Sequence, residues 1–124
     1  MKRIFENLFV WQEARIVVKE IYTMLQESRD FGFKDQIQRA AVIIMNNIAE
    51  GADSGSDAKF INYLNTSRGS CSEVKSMLYL CEDLGICTCA KREELQSRVN
   101  QISYGLAKMI ETLQKPNSPK DLTT

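Results

Sequence analysis

Histidine is absent from the 124 residues. With it go the commonest general base, the triads built on imidazole and every metal site that needs a histidine ligand. Proline is nearly as scarce. Both copies, Pro116 and Pro119, fall in the last nine residues, "PNSPKDLTT", so nothing before them carries a ring that would break a helix. Net charge is missing too: sixteen basic and sixteen acidic residues cancel, so any attraction to nucleic acid must be local. No apolar run approaches a transmembrane span. The opening "MKRIFENLFVWQEARIVV" is broken by Glu6, Asn7, Gln12 and Glu13 where a secretory leader would be apolar. The four cysteines, Cys71, Cys81, Cys87 and Cys89, therefore read as free thiols of a cytoplasmic, reduced protein with no membrane association.

What the chain does contain is helical periodicity. Apolar content of 44% and charged content of 26% suit one globular domain with a real core, expected over 1–115, with 116–124 as a flexible C-terminal tail. A first helix is expected over 10–26, with Trp11, Ala14, Val18, Ile21 and Leu25 at 3-4 spacing. A second spans 34–50 on Ile37, Ala41, Ile44 and Ile48, with Gly51 placed to stop it. The third, 56–84, holds a heptad seam from Phe60 through Leu64, Ser67, Cys71, Val74 and Leu78 to Cys81, ended by Gly85. The fourth, 91–114, repeats the pattern with Leu95, Val99, Ile102, Leu106, Met109 and Leu113. Short connections, "DSG" and "GICTC", make sequential helices antiparallel neighbours. The expected fold is all-α, an up-down-up-down four-helix bundle.

There is more apolar surface than such a bundle needs. In "RAAVIIMNNIAEGADSG" the second helix carries Val42, Met45 and Ala49, with Gln38, on a stripe about 100° from its core stripe. The first helix adds Val10, Val17 and Met24 beside its main stripe, and the third carries Tyr63, Thr66, Ser70, Glu73, Met77, Leu80 and Leu84. Surfaces of this size mark an interface, here between copies of the chain. The alternative is that Phe5, Leu8 and Phe9 fold back over them. Arg39, Asn46 and Glu50 lie opposite the core stripe, and antiparallel pairing about the turn brings Arg39 near Gly69 and within a turn of Glu73. Arg39, Glu50 and Glu73 are therefore expected to form a polar network at a helix or subunit contact. Gly69 would be kept small for the close approach of a backbone or of Arg39.

Catalytic chemistry finds no footing. Carboxylate-bridged metal sites in bundles need Glu-x-x-His motifs, and "CTC" has only Cys81 as a third thiol, so neither a metal nor a cofactor is expected. "GADSG" lacks the lysine and the strand–helix context of a phosphate loop. Glu50 and Glu73 as an acid/base pair is set aside in favour of an ion network with Arg39. The chain reads as a non-enzyme with no small-molecule substrate. The candidate nucleic-acid surface is a stripe on the fourth helix, Lys91, Arg98, Lys108 and Lys115, with Arg15 and Lys19 on the first; poor aromatic interleaving argues against single-strand stacking there.

Three segments carry a resemblance. "LFVWQEA", "QIQRAAVIIMNNIAEG" and "RGSCSEV" resemble the signature segments of the four-helix-bundle proteins encoded by intervening sequences in 23S ribosomal RNA genes. That family in turn resembles the accessory variability protein of diversity-generating retroelements. The matching positions are Trp11 and Ala14; Arg39, Ala41, Ile44, Asn47, Ile48, Ala49, Glu50 and Gly51; and Gly69, Ser70 and Glu73. A Ser-Ile pair usual in the second helix reads Ile43-Ile44 here. The resemblance implies a homopentameric ring and no enzyme activity. For the retroelement branch it implies binding to a reverse transcriptase and to nucleic acid through a basic surface, a feature this neutral chain does not share as a whole. The functional expectation is an oligomeric scaffold binding RNA, DNA or a nucleic-acid-processing partner; the alternative is a self-associating protein interaction module.

Overall fold

The computed structural model describes residues 4–116 and 122. A 3-10 turn, Phe5–Asn7, leads into four helices: α1 (Phe9–Met24), α2 (Phe31–Ala52), α3 (Asp57–Asp83) and α4 (Cys89–Leu113). Sequential helices pack on one another and α1 closes on α4, while the diagonal pairs stay apart. This is an up-down four-helix bundle, and every helix end lies within three residues of the position expected from periodicity. No described residue is in a strand.

Local chemistry sets the ends. Asp30, Ser56 and Thr88 cap α2, α3 and α4, their side-chain oxygens accepting from the amides of Phe33 (3.2 Å), Lys59 (3.2 Å) and Lys91 (3.1 Å). The Asp30 cap explains why α2 starts three residues before its first core residue suggests. At the end of α3, Gly85 takes φ +74°; its amide donates to Glu82 O, and that of Ile86 to Cys81 O at 2.8 Å, satisfying two terminal carbonyls. Gly51 does not stop α2. It lies inside the helix, buried, and the left-handed residue is Gly55 in the link. A Cβ on Gly51 would stand 2.7 Å from Phe60 Cδ1 and 2.8 Å from Tyr63 Cβ, so this glycine sets how closely α2 and α3 approach.

The expected seams of α3 and α4 are buried throughout, as are Ile37, Ala41, Ile44 and Ile48 of α2. Ser67, polar and fully buried on the α3 seam, donates to Ile44 O at 2.9 Å. In α1 the expected Ala14 and Ile21 are buried, as is Leu25 at its C-cap, but Val10 and Val17 join them in the core, while Trp11 and Val18 are half-buried on its flank. Both stripes are apolar and differ by about one residue's rotation; the positions of α2 and α4 choose between them. The N-terminal segment does fold back in part. Leu8 is buried, and Phe5 meets the Trp11 ring edge-on at 5.1 Å between centroids. The tail expected over 116–124 falls mostly outside the described residues; within it, Leu122 is buried with the core.

Candidate binding surfaces

The cations expected to make a basic stripe on α4 are divided among three environments. Lys91 Nζ donates to Glu20 Oε2 of α1 at 2.7 Å and lies 3.5 Å from Glu94. Arg98 Nη1 donates to Glu13 Oε1, also on α1, at 3.0 Å. The two pairs are seven residues apart on each helix, one above the other, and they clamp α4 onto α1 rather than face solvent together. The hydrogen bond that Lys91 donates holds the Glu20 carboxyl below its ordinary range, and the same bond, accepted by the carboxylate, raises the Lys91 ammonium. Lys108 stays exposed, 3.9 Å from Glu111 and 5.5 Å from the centroid of the Tyr104 ring. Lys115 is exposed at the end of the helix, and Arg15 and Lys19 are exposed on α1.

A second clamp, between α3 and α4, had no counterpart in the sequence reading. Arg92 donates through Nε to Glu82 and through Nη1 to Gln96 Oε1 at 2.8 Å, and its guanidinium stands 4.9 Å from the centroid of Tyr79. Gln96, buried, donates in turn to Lys75 O at 3.0 Å. Only the i, i+4 spacing of Arg92 and Gln96 was visible in advance; Glu82 and Lys75 reach them across the helix interface.

The network expected from Arg39, Glu50 and Glu73 does not form within the chain. Arg39 pairs with Asp35 one turn back on its own helix, at 2.9 Å with the side chain 69% exposed, and Glu50 and Glu73 both face solvent. Rotation rather than register explains the correction. Ser67 opposite Ile44 and Phe60 opposite Gly51 place Ser72, next to Glu73, across from Arg39, but the exposed arginine lies on the outward side of α2 and Glu73 is exposed on α3. Gly69 has nothing within 4 Å of a would-be Cβ, so within the chain it accommodates no close approach. Asn47 is half-buried and donates to Ile43 O at 2.9 Å inside its own helix; Ser70 is half-buried.

Two grooves among the described residues bring aromatic side chains beside cations. The first, about 700 Å³ between α1 and α2, is lined by Trp11, Arg15, Val18, Lys19 and Tyr22 from α1 and by Val42 and Met45 from α2. Its floor is apolar, and Arg15 stands 5.8 Å from the centroid of Trp11 at the rim. Val42, Met45 and Ala49 are each half-buried, so the second stripe of α2 is covered only in part by its own chain. The second groove, about 720 Å³ between the start of α1 and the second half of α4, is lined by Phe9, Ser97, Asn100, Gln101, Tyr104, Gly105 and Lys108. A Cβ on Gly105 would stand 2.6 Å from Val10 Cγ1, so that glycine lets α1 and α4 meet beneath the groove. Phe9 and Tyr104 are 95 positions apart in sequence, and only the closure of α1 on α4 makes them neighbours; the aromatic interleaving judged poor along α4 is supplied from α1.

Chemically, the described residues hold no group of three or more His, Cys, Asp or Glu side chains placed to share a metal ion, and no helix is long and apolar enough to cross a membrane. All four cysteines are free thiols. Burial pushes the Cys71 thiol up to about 12 and that of Cys81 up to about 11, the latter raised further by Cys87. Cys89, exposed at the start of α4, lies 3.4 Å from Arg92 Nη2 and 3.5 Å from Glu93.

The fold and its surfaces define an all-α bundle protein whose open features are grooves between helices. The chain belongs to the 23S rRNA-intervening sequence protein family, whose model matches residues 6–108. It is also similar to a crystal structure of a protein with unknown function from the S23 ribosomal protein family of Bacteroides thetaiotaomicron VPI-5482. The two are 27% identical, with a TM-score of 0.76 over 83% of this chain and 99% of that one. No curated protein matches the sequence.

Proposed function

We propose that the protein is a non-enzymatic, self-associating helical scaffold whose subunits meet through the groove between α1 and α2. The observation that carries this is the half-buried stripe of Val42, Met45 and Ala49 beside Trp11, Val18 and Tyr22. It is apolar surface beyond what the bundle core consumes, gathered into one groove. A homopentameric ring is the assembly that the resemblance implies. The outward positions of Arg39, Glu50, Glu73 and Gly69 suit a subunit contact: Arg39 is held by one exposed partner, and the open space over Gly69 admits a neighbour's backbone. Likeness to the accessory variability protein of diversity-generating retroelements extends the reading to a nucleic-acid-processing partner such as a reverse transcriptase. Arg15 and Lys19 at the rim of the groove supply the local positive charge for it. An interaction module for a purely protein partner is the alternative.

Light scattering at micromolar concentration tests the assembly. The expected mass is a multiple of the 14.1 kDa chain. Val42→Glu and Met45→Glu each place a carboxylate in the groove and are expected to give monomers with unchanged helical circular dichroism. A wild-type monomer overturns the proposal.

A further inference from the structure

The groove between α1 and α4 differs in chemistry from the one between α1 and α2. Its apolar surface is two exposed rings, Phe9 at 41% and Tyr104 at 66% exposure, rather than an aliphatic stripe. Its remaining lining is Ser97, Asn100, Gln101 and Lys108 around Gly105, one cation and no carboxylate. The side-chain amides of Asn100 and Gln101 make no hydrogen bond to any described residue, so their donors and acceptors are open to a ligand. Lys108, next to Tyr104, puts its ammonium against one face of that ring. The volume, about 720 Å³, lies within the roughly 300–1,000 Å³ of small-ligand sites.

We propose that this groove binds single-stranded nucleic acid, stacking unpaired bases on Phe9 and Tyr104. Each part of the lining has a matching part of a nucleotide. Flat rings offer stacking surface to any base; the amides of Asn100 and Gln101 pair with the exposed edge of a base that has left a duplex; Lys108 meets the phosphate of the nucleotide stacked on Tyr104. A second copy of the chain fits less well. The core of a subunit interface is closely packed and largely apolar, whereas here two rings stand among open amides. Duplex fits less well too, because its bases are stacked on one another and present no face to Phe9 or Tyr104. With Lys91 and Arg98 already paired to Glu20 and Glu13, affinity comes from stacking, and Lys108, whose exposed partner Glu111 stands 3.9 Å away, adds a single phosphate contact.

Fluorescence anisotropy with a labelled oligouridylate of about 12 nucleotides, a length such sites span, tests the proposal on the intact protein. A duplex of equal length serves as the competitor. The single strand is expected to bind more tightly than the duplex. Phe9→Ala and Tyr104→Ala should each weaken binding about 5- to 100-fold, while Tyr104→Phe, which keeps the ring, retains it. Lys108→Gln should lower the slope of log affinity against log salt by about 0.7, one single-strand phosphate contact. Circular dichroism and light scattering on each variant establish that fold and mass are unchanged. Equal binding of duplex and single strand overturns the proposal, as does undiminished binding by folded Tyr104→Ala. Dissociation of an oligomer by Tyr104→Ala overturns it as well, because it makes the groove a subunit contact. The outcome is independent of the scaffold reading. A monomeric wild type that binds through Tyr104 removes the scaffold and keeps this site; an oligomer with no single-strand binding does the reverse.

Discussion

Replacing Gly51 by alanine adds one methyl group where α2 and α3 are closest. The new carbon would stand 2.7 Å from Phe60 Cδ1 and 2.8 Å from Tyr63 Cβ, against about 3.5–4.0 Å for an unstrained carbon contact. Neither neighbour can yield alone. Phe60 is fully buried, and a Cβ moves only with its backbone, so the helices must part. Overpacking of this kind costs about 1–3 kcal/mol. It is offset by at most about 1 kcal/mol from replacing glycine in a helix, and by less here, one residue from the helix end. Gly69→Ala is the internal control: it also replaces a helical glycine, but its Cβ meets nothing within 4 Å, so only the favourable term remains, about 1 kcal/mol. The difference between the two variants is mainly the packing cost, widened by the smaller helix-propensity gain near the end of α2. At about 2.1 cal/mol/K of unfolding entropy per residue, 1–3 kcal/mol over this chain is a gap in Tm of about 4–12 °C. Melts followed by circular dichroism at one fixed protein concentration measure it, since self-association would make Tm concentration-dependent. Gly69→Ala should melt above wild type and Gly51→Ala below. A Gly51→Ala protein at least as stable as Gly69→Ala would refute the close-approach argument.

Other expectations follow from the clamps and the thiols. Arg92→Met should lower Tm more than Arg39→Met, because Arg92 bridges Glu82 and Gln96 across two helices while Arg39 holds only an exposed partner on its own helix; equal melts would show that the α3–α4 clamp contributes nothing. The lowered Glu20 carboxyl contributes stability above its ordinary value of 4.5 that is lost as pH falls through the depressed one, so Lys91→Met should flatten the acid limb of a Tm–pH profile. Cys71 and Cys81 stay protonated in the native chain up to about 12 and about 11 while unfolded thiols ionise near 9, so the native state binds more protons above pH 9. Unfolding free energies from urea titrations should therefore fall by about 1 kcal/mol per thiol per pH unit between pH 9 and the native values, a slope that Cys71→Ala and Cys81→Ala reduce. In the native protein a disulfide reagent should label exposed Cys89 first and reach Cys71 and Cys81 only after unfolding.

The helices themselves were legible because their signals are local. The seam from Phe60 to Cys81 repeats every three or four residues, and Gly85 is the residue that tolerates a positive φ; each acts over a turn or two of one chain segment, whereas the Asp30 and Thr88 caps went unread and α2 and α4 begin three and two residues before their expected starts. Val42, Met45 and Ala49 were likewise placed on a face separate from the core of α2, since angles around a helix follow from residue number alone. Relations between helices were not determined in this way. Arg39 was expected near Gly69 and within a turn of Glu73; the register that forms sets it opposite Ser72, beside Glu73, yet both side chains are turned outward and Asp35 is the partner that Arg39 finds. Gly51 and Gly69 look alike in sequence as glycines in helical segments, but one is pressed against Phe60 and the other is open. Trp11 and Val18 rather than Val10 and Val17 were expected in the core, because both sets are apolar and only the placement of α2 and α4 selects one. Lys91 and Arg98 read as part of a basic stripe until Glu20 and Glu13 arrive from α1, Arg92 stood out only once Glu82 reached it from α3, and Phe9 meets Tyr104 only when the first helix closes on the last. Periodicity along the chain determined the four helices and their apolar faces, since it depends on backbone geometry that every residue shares. Register and rotation of one helix against another depend on the shapes of all the side chains packed between them at once, and those were decided only by the tertiary structure.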